Sequence, residues 1–349
     1  MKQPRLLAAI LFPAAAAVLF SCSSVRSLEI ETYNPAAITF PPEIQTVMIV
    51  NNAAQQPDNT GHQRKRAGKG VTEMQVSADS TAAVFCLQLG KSIAASPVFY
   101  DVRLCEDTLR RDSVFYDKRP FSAHDVQALC DDYGVDALIS LDNFVLLTEV
   151  DETGFNGYFF EPFLRVTLFG ELRALWPGQK EVYTFPFSDS LRWLLPDDSQ
   201  AANITEADVL YAMRYLSSVT GEKVQVNFVP YWSYDNRWYY TAISSEWKRG
   251  AACAAVAKWN EAAGIWETLL SKTGKWNPKA RLLSNLALCS EIAGDFEKAV
   301  GYAEESYRLF VTNAGEDNDY TKLQKMYLEI LKGRAKNDSV LSRQLRESN

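Results

Sequence analysis

The spacing of apolar side chains changes several times along the chain, and each change predicts a different element. Thr46–Asn51 has four consecutive apolar residues at its centre, which is typical of a strand covered on both faces. Residues 78–95 place apolar side chains three or four positions apart, which predicts a helix. Apolar and polar residues alternate over residues 163–176, which predicts an antiparallel strand with one solvated face.

Two further helices are predicted by capping signals. Ser122 is followed three residues later by Asp125, and Thr205 by Asp208, which is the spacing of a capping box. The remaining strands are predicted at residues 98–104, 136–150, 181–187 and 224–229. The order β-α-β-α-β-β-β-α-β predicts an α+β fold, an α/β sandwich with a mixed sheet, over residues 46–230.

The apolar spacing of residues 247–341 is helical and contains an internal repeat. Residues 294–299 resemble the turn of a tetratricopeptide repeat, and Trp259 and Phe296 occupy matching positions 37 residues apart. Small residues at Ala262 and Ala299 would let paired helices approach closely. The sequence therefore predicts an all-α, tetratricopeptide-like domain over residues 247–341, after an aromatic linker at residues 231–246 and before a tail at residues 342–349.

The first 22 residues have the layout of a secretory signal. Lys2 and Arg5 precede an apolar stretch over residues 6–20, which is too short for a bilayer-spanning helix. Residues 19–22 resemble a bacterial lipobox, which implies a signal peptide over residues 1–21 and acylation of Cys22. The alternative is an ordinary signal peptide that is cleaved nearby. The polar residues 22–45 are predicted to be a lipidated tether.

Charge and composition narrow the expected partners and location. The 349 residues are 47% hydrophobic and 23% charged, which is typical of a globular protein. A net charge of -7 argues against a broad nucleic-acid surface, which needs clustered cations. The chain has no acidic residue between Cys22 and Glu29. Surface-exported lipoproteins of Bacteroidota-like bacteria tend to carry acidic residues just after this cysteine. Their absence favours an outer-membrane lipoprotein that faces the periplasm.

The cysteines and histidines do not have the spacing of a metal site or a redox site. No Cys-x-x-Cys pair occurs, and His62 and His124 lie in different segments. We therefore expect neither a metal nor a cofactor. The four cysteines that fall on apolar faces of predicted helices are expected to be small buried hydrophobes, and these are Cys86, Cys130, Cys253 and Cys289.

Two segments contain residue types that are used in catalysis, but the sequence predicts no catalytic residue. Gly90–Lys91–Ser92 resembles the end of a phosphate-binding loop, yet it lies late in a predicted helix. Ser122, His124 and Asp125 have the residue types of a catalytic triad, yet Ser122 and Asp125 already form a helix cap.

Two charged segments are interpreted as solvated loops. Residues 316–319 are acidic but lack the glycine and the distal glutamate of an EF-hand, so calcium binding is the weaker alternative. Residues 64–69 are basic, and binding of lipid phosphates is the alternative there.

The densest aromatic segment is Tyr231–Tyr240. Tryptophan and arginine dominate the energetics of protein interfaces. The candidate partner-binding residues in and after this segment are Trp232, Arg237, Trp238, Trp259 and Trp266. Because the segment lies between the two predicted domains, packing between them is the default interpretation, and a partner-binding or sugar-stacking surface is the alternative.

Five tripeptides of the form Asp-Ser/Thr-X, in which X is apolar or Thr, resemble the O-glycosylation sequence of Bacteroidota envelope proteins. Their acceptor hydroxyls belong to Ser80, Thr108, Ser113, Ser190 and Ser339. We expect these residues to lie mostly in loops, where a bulky modification is tolerated. Helix capping by Asp-Ser pairs is the alternative.

The overall layout resembles an uncharacterised family of Bacteroidota lipoproteins. The resemblance rests on Thr46–Asn51 with the polar loop after it, on residues 133–139, and on residues 230–232 near Arg237 and Tyr239. It implies a lipobox, an α/β domain similar to TolB-like and curli-secretion-like lipoproteins, and tetratricopeptide-like helices. The family contributes no catalytic residues.

Together these features predict a non-enzymatic envelope lipoprotein. Its expected partners are the membrane, through the lipid anchor, and another envelope protein, bound by the helical repeat. Binding of an envelope glycan or peptidoglycan through Tyr231–Tyr240 is the alternative.

Overall fold

The computed structural model describes residues 25–66, 68–78, 80–105, 109–110, 114–115, 117–153, 162–194 and 204–345. The chain divides into two compact units. Of the described residues, the α/β unit contains those within 32–233 and 336–345, and the helical unit contains residues 25–31 and 234–335. A mixed sheet with helices is followed along the chain by an all-helical region, so the expected fold class is confirmed.

Within the described residues, the strands are β1 (Val25–Asn34), β2 (Thr46–Asn51), β3 (His62–Arg66), β4 (Gly70–Glu73), β5 (Asp101–Leu104), β6 (Ala137–Asp151), β7 (Phe163–Leu175), β8 (Tyr183–Leu194) and β9 (Tyr231–Tyr240). The helices are α1 (Thr81–Ala94), α2 (Ala123–Tyr133), α3 (Glu206–Lys223), α4 (Ser245–Ala255), α5 (Trp259–Lys272), α6 (Trp276–Ile292), α7 (Phe296–Ala314) and α8 (Asp319–Gln344). No helix in the described part of the chain is apolar over a length that would cross a bilayer.

The long strand β6 organises the sheet of the α/β unit. Its first part pairs with β2 and its last part with β3, both in parallel. Its other edge pairs along almost its whole length with β7, which is antiparallel and in turn pairs with β8. The parallel strand β5 extends the sheet beyond β2, and the antiparallel strand β4 extends it beyond β3. The sheet is therefore mixed.

Helices cover both faces of the sheet at β2. Val47 and Ile49 point into the cluster that contains Phe85 of α1 and Met213 of α3. Met48 and Val50 point into a second cluster with α2. All four apolar side chains of β2 are at most 1% exposed. The prediction of a strand covered on both faces is confirmed.

One strand that was expected in the α/β unit is a helix. Residues 224–229 were expected to form a strand, but Val224–Asn227 form a 3₁₀ helix that continues from α3. The amide N–H of Val224 still donates to the carbonyls of Thr220 and Glu222, so helical bonding outweighs the strand preference of the valines.

The basic segment that was expected to be a solvated loop belongs partly to β3. Lys65 Nζ lies 3.1 Å from Asp151 Oδ2, and Arg66 Nε lies 2.9 Å from Glu152 Oε2. The parallel register with β6 places these two cations beside the carboxylates of Asp151, the last residue of β6, and Glu152, the residue after it. The cations are therefore already paired within the chain.

In the helical unit, successive helices pack against each other as hairpins, and α6 lies at the centre. Every residue from Leu282 to Glu291 of α6 is buried, so this stretch is covered on all sides. Part of the cover comes from β9. The N–H of Tyr240 donates to Asn285 Oδ1 at 2.7 Å, and Asn285 Nδ2 donates to the carbonyl of Tyr240 at 2.8 Å.

The chain segments on either side of the α/β domain are ordered differently from the expectation. Residues 25–34 of the expected tether form β1, and residues 231–240 of the expected linker form β9. These two strands pair with each other. Pairing satisfies backbone groups that an isolated linker would leave to water.

Candidate functional site

Arg237, a candidate partner-binding residue, is only 4% exposed and belongs to a buried ionic cluster of the helical unit. Its Nη2 lies 2.8 Å from Glu291 Oε1, and Arg334 Nη1 lies 3.0 Å from the same oxygen. Tyr327 donates its hydroxyl to Glu291 Oε2 at 2.9 Å. The prediction for Arg237 is wrong, because its guanidinium neutralises a buried carboxylate.

Tyr327 keeps its proton in this cluster. Burial, together with the charge of the neighbouring Glu291 carboxylate, raises the pKa of Tyr327 well above its ordinary value. The hydroxyl therefore remains a donor to Glu291 over the whole physiological pH range.

Trp266 is also buried and does not line a surface. Its exposed fraction is 0%, and its indole lies over Gly250, where an added Cβ would come within 2.4 Å of Nε1. The prediction of a partner contact at Trp266 is wrong, because the ring fills the space between α4 and α5. Trp238 and Trp259 are half-buried, and Trp238 packs against Tyr327 with ring centroids 5.2 Å apart.

Among the five candidates, Trp232 has the most accessible ring. It is 67% exposed and packs against Tyr33 of the α/β unit, with ring centroids 4.8 Å apart. The ring of Trp232 is therefore accessible at the surface.

The candidate modification sites are only partly described. Cys22, Thr108 and Ser113 lie outside the described residues. Ser80 is exposed just before α1, and its Oγ accepts from Arg214 Nη2 at 2.8 Å.

Ser190 and Ser339 are exposed, but Ser190 lies in β8 and Ser339 in α8. The expectation of loop positions is therefore wrong for these two residues. Ser339 donates its hydroxyl to the carbonyl of Lys336, one helical turn before it.

The triad-like residues form a helix cap. Asp125 Oδ2 accepts from the N–H of Ser122 at 2.9 Å and from its Oγ at 2.7 Å. The hydrogen bonds from Ser122 lower the pKa of Asp125, so the carboxylate stays charged at the start of α2. His124 points to solvent with 91% of its side chain exposed. The predicted cap is confirmed.

The segments that resemble a phosphate-binding loop and a calcium-binding loop lie in and beside helices. Residues 90–92 lie inside α1, and residues 316–318 precede α8. No group of three or more His, Cys, Asp or Glu side chains in the described residues is arranged to hold a metal.

The cysteines behave as expected for small hydrophobes. Cys86, Cys130 and Cys289 are buried, and Cys253 is half-buried. Burial raises the pKa of Cys86 to about 12 and the pKa of Cys130 to about 11, so these thiols stay protonated.

A cleft that the sequence did not indicate opens beyond the carboxyl end of β2. Its volume is about 470 Å³, which is within the range of small-molecule sites. Apolar side chains of Phe121 and Leu129 line one part, and Arg119 and Asp132 bring charges to it. In sheets with parallel strands, ligands bind at this edge.

A buried carboxylate lies behind the cleft. Asp142 is 2% exposed and stands where the register between β6 and β7 shifts, which is a β-bulge. Its Oδ1 accepts from Ser140 Oγ at 2.6 Å and from Asn52 Nδ2 at 2.9 Å. Asn52 also lines the cleft.

Burial disfavours the charged form of Asp142, and three neighbouring side chains stabilise it. Burial raises the pKa of Asp142 above its ordinary value, while Ser140, Asn52 and Arg173 act against that rise. Arg173 Nε lies 3.3 Å from Asp142 Oδ2. The two polar residues within the otherwise apolar start of β6, Ser140 and Asp142, are the signal from which the sequence analysis could have located this cluster.

The family comparisons divide the chain where β9 ends and α4 begins. Residues 44–240 match the family described as Domain of unknown function (DUF8603). Residues 248–333 match the family described as Domain of unknown function (DUF6340). No curated protein matches the chain. The first match covers more than half of the chain, which therefore belongs to the uncharacterised family of the DUF8603 domain.

Proposed function

We propose that the chain is a non-enzymatic lipoprotein of a Bacteroidota-type envelope that acts as a protein–protein interaction or assembly module. Acylation of Cys22 would hold it in the outer membrane, facing the periplasm. Its α/β domain would be TolB-like or curli-secretion-like, and its helices tetratricopeptide-like. The observation that carries the proposal is the duplicated helical hairpin of the helical unit.

The two hairpins correspond at the turn and at the start of the second helix. Helices α5 and α7 begin at Trp259 and Phe296, 37 positions apart. The turn before each helix contains a left-handed residue at the matching position, Ala257 with φ 56° and Gly294 with φ 79°. Repeated helical hairpins commonly present extended binding surfaces.

The outer faces of α5 and α7 are the surfaces that we assign to the partner. α6 is already covered by other parts of the helical unit. Gly264 of α5 and Gly301 of α7 are exposed, 37 positions apart, and an added Cβ at either would meet open space. A glycine inside a helix costs about 1 kcal/mol relative to alanine. Close approach of a partner would explain why both positions stay small.

A pair of substitutions tests this surface. The double variant Gly264→Gln, Gly301→Gln places two long side chains on the outer faces, and Gly333→Gln places one at an equally open position of α8. All three changes favour the helix. We expect the full-length lipidated protein and the Gly333→Gln control to cross-link to the same envelope protein in membranes, identified by mass spectrometry.

The double variant should lose this cross-link while unfolding at the same temperature or a higher one. An unchanged cross-link would exclude the outer faces of α5 and α7 as the docking surface. The absence of any cross-linked protein with the native chain would contradict the interaction module itself.

A second candidate function is binding of an envelope glycan, favoured by the exposed Trp232–Tyr33 pair. Trp232→Ala should abolish retention of the protein on purified peptidoglycan. Tyr100→Ala is the control, because Tyr100 is 89% exposed and remote from this pair in sequence. A native protein that does not bind peptidoglycan would exclude this ligand.

A further inference from the structure

The helical unit begins almost directly after the proposed lipid attachment site. Val25 is the first residue of β1 and follows Cys22 by three positions. Three residues span at most about 11 Å when fully extended. If Cys22 is acylated, the first residue of β1 therefore lies close to the lipid headgroups.

The beginning of β1 is held within the helical unit, so it cannot serve as a flexible spacer. Val25 and Leu28 pack against the apolar cluster of that unit. Tyr234 donates its hydroxyl to Glu31 Oε1 at 3.1 Å. The short connection to Cys22 therefore leads to a fixed point of the unit.

The chain enters α4 from the end of the β1–β9 pair at which β1 begins. Glu31 contacts Tyr234, and Tyr33 contacts Trp232, so the two strands run in opposite directions. The beginning of β1 consequently lies beside the end of β9 at Tyr240. Residues 241–249, the turn after β9 and the first residues of α4, leave from that end.

Residues 241–249 combine an exposed apolar side chain with cations. Ile243 is 80% exposed, and Lys248 and Arg249 are exposed on the first turns of α4. Trp247 is 8% exposed and fixes α4 to the unit. The one carboxylate, that of Glu246, accepts from Ser245 Oγ at 3.0 Å at the helix N-terminus, where negative charge is favoured.

We propose that residues 241–249 form a membrane-contacting surface. Ile243 inserts between phospholipid headgroups, while Lys248 and Arg249 bind the phosphates of anionic lipids. The surface rests on the proposed attachment of lipid at Cys22, because the anchor keeps these residues at the bilayer and raises their effective concentration there. It would orient the lipoprotein, with the end of β9 toward the membrane.

Hydrogen exchange of the full-length lipidated protein tests the contact. Residues 241–249 should exchange more slowly in phosphatidylglycerol vesicles than in phosphatidylcholine vesicles. Ile243→Ser should remove this protection, whereas Val256→Ser should keep it, because Val256 is 64% exposed at the other end of α4. Equal exchange in the two kinds of vesicle would overturn the proposal.

Vesicle sedimentation of the unlipidated Cys22→Ser chain separates this proposal from lipid attachment. We expect weak binding to phosphatidylglycerol vesicles that falls about fivefold with Arg249→Gln. Arg308→Gln, which removes an exposed cation of α7, should leave the binding unchanged. Binding that is insensitive to Arg249 would contradict the surface.

The intact mass of the membrane-extracted native protein reports acylation independently. An unmodified Cys22 together with binding that depends on Ile243 would refute only the anchor. An acylated Cys22 without protection of residues 241–249 would refute only the surface.

Discussion

At three places in the described part of the chain, a buried side-chain amide pairs with both backbone groups of one residue. Gln56 accepts from the N–H of Leu146 at 2.8 Å and donates to its carbonyl at 2.7 Å. Asn285 does the same for Tyr240. Gln344 does the same for Ala36. Each amide has one donor and one acceptor group, as a peptide unit does, so it substitutes for a strand partner.

Replacing Gln56 should show how much such a substitute stabilises the α/β unit. Gln56 fills the gap on β6 between β2 and β3, and Gln56→Leu leaves the buried N–H and C=O of Leu146 without partners. The expected loss is at least about 2 kcal/mol in the free energy of unfolding. Gln63→Leu, at an exposed position of β3, should change it by no more than about 0.5 kcal/mol. Equal urea midpoints would contradict the role of Gln56.

Ala257 adopts a backbone conformation that suits glycine. Its φ is 56°, and the matching residue of the other hairpin is Gly294. Ala257→Gly should stabilise the helical unit by about 1 kcal/mol, because a Cβ is unfavourable in the left-handed region. Gly294→Ala should destabilise it by a similar amount, since no neighbour would meet the added Cβ. Urea unfolding checks both signs, and a destabilised Ala257→Gly variant would refute the argument.

His62 makes the stability of the α/β unit depend on pH. It is 1% exposed, and Nδ1 lies 2.9 Å from Thr148 Oγ1. Burial lowers the pKa of His62 below 6.5, against the opposing charge of Asp58. The unfolded chain therefore binds more protons just below pH 6.5, so stability is complete above that pH and decreases as the pH falls through the window.

A pH series of urea unfolding curves checks this dependence. His62→Asn keeps a polar group near Thr148 but does not titrate, so it should lose less stability than the native chain below pH 6.5. Parallel curves for the native chain and His62→Asn would show that His62 is not the titrating group.

At the scale of elements, local patterns predicted what local interactions determine. The apolar centre of β2, the alternation of β7 and the caps at Ser122 and Thr205 are all confirmed. Each depends on residues close in sequence. The strands β1, β3 and β9 were missed, because each is stabilised by a partner that is distant in the chain.

The candidate sites show the same limit. The aromatic and cationic residue types of Arg237 and Trp266 suggested an interface, but their burial depends on Glu291 and Gly250 in other helices. The cleft beyond β2 was missed because its lining brings Asn52 together with residues 109–132, which are distant in the chain, and the bulge at Asp142 was missed because it depends on the register between β6 and β7. Neither feature has a signature in a local sequence pattern.

The pairing of β7 with β8 includes one close contact between a glycine and an aromatic ring. Gly170 lies opposite Phe187, and an added Cβ would come within 2.1 Å of that ring. Phe187 in turn stacks on Phe85 of α1 with ring centroids 5.0 Å apart. Gly170→Ala should cost about 1–3 kcal/mol in the free energy of unfolding through overpacking.

Introducing Phe187→Leu into the Gly170→Ala variant tests whether the clash with the Phe187 ring causes the loss of stability. If the clash with the ring is the cause, the second substitution should cost less in this background than in the native chain. Additive changes in the urea midpoints would place the cause in the backbone of Gly170.

At the scale of the whole molecule, the structural units do not follow the family boundaries. The first family match covers residues 44–240. The α/β unit also includes Thr32 and the residues that follow it, and it includes residues 336–345 at the end of α8. Residues 342–349 were predicted to be a tail, yet Gln344 is only 6% exposed. The unit is therefore complete only when both parts of the chain are present.

Removing the end of α8 should consequently weaken the α/β unit. Gln344 bonds both backbone groups of Ala36, and its Nε2 also donates to the carbonyl of Ile38 at 3.1 Å. A chain that ends at residue 341 should lose about 2 kcal/mol or more of the unit's unfolding free energy, since these buried groups lose their partner. Gln344→Leu should reproduce most of that loss. Hydrogen exchange at residues 36–38 and in β2 measures the effect, and unchanged protection in the shorter chain would show that α8 does not support this unit.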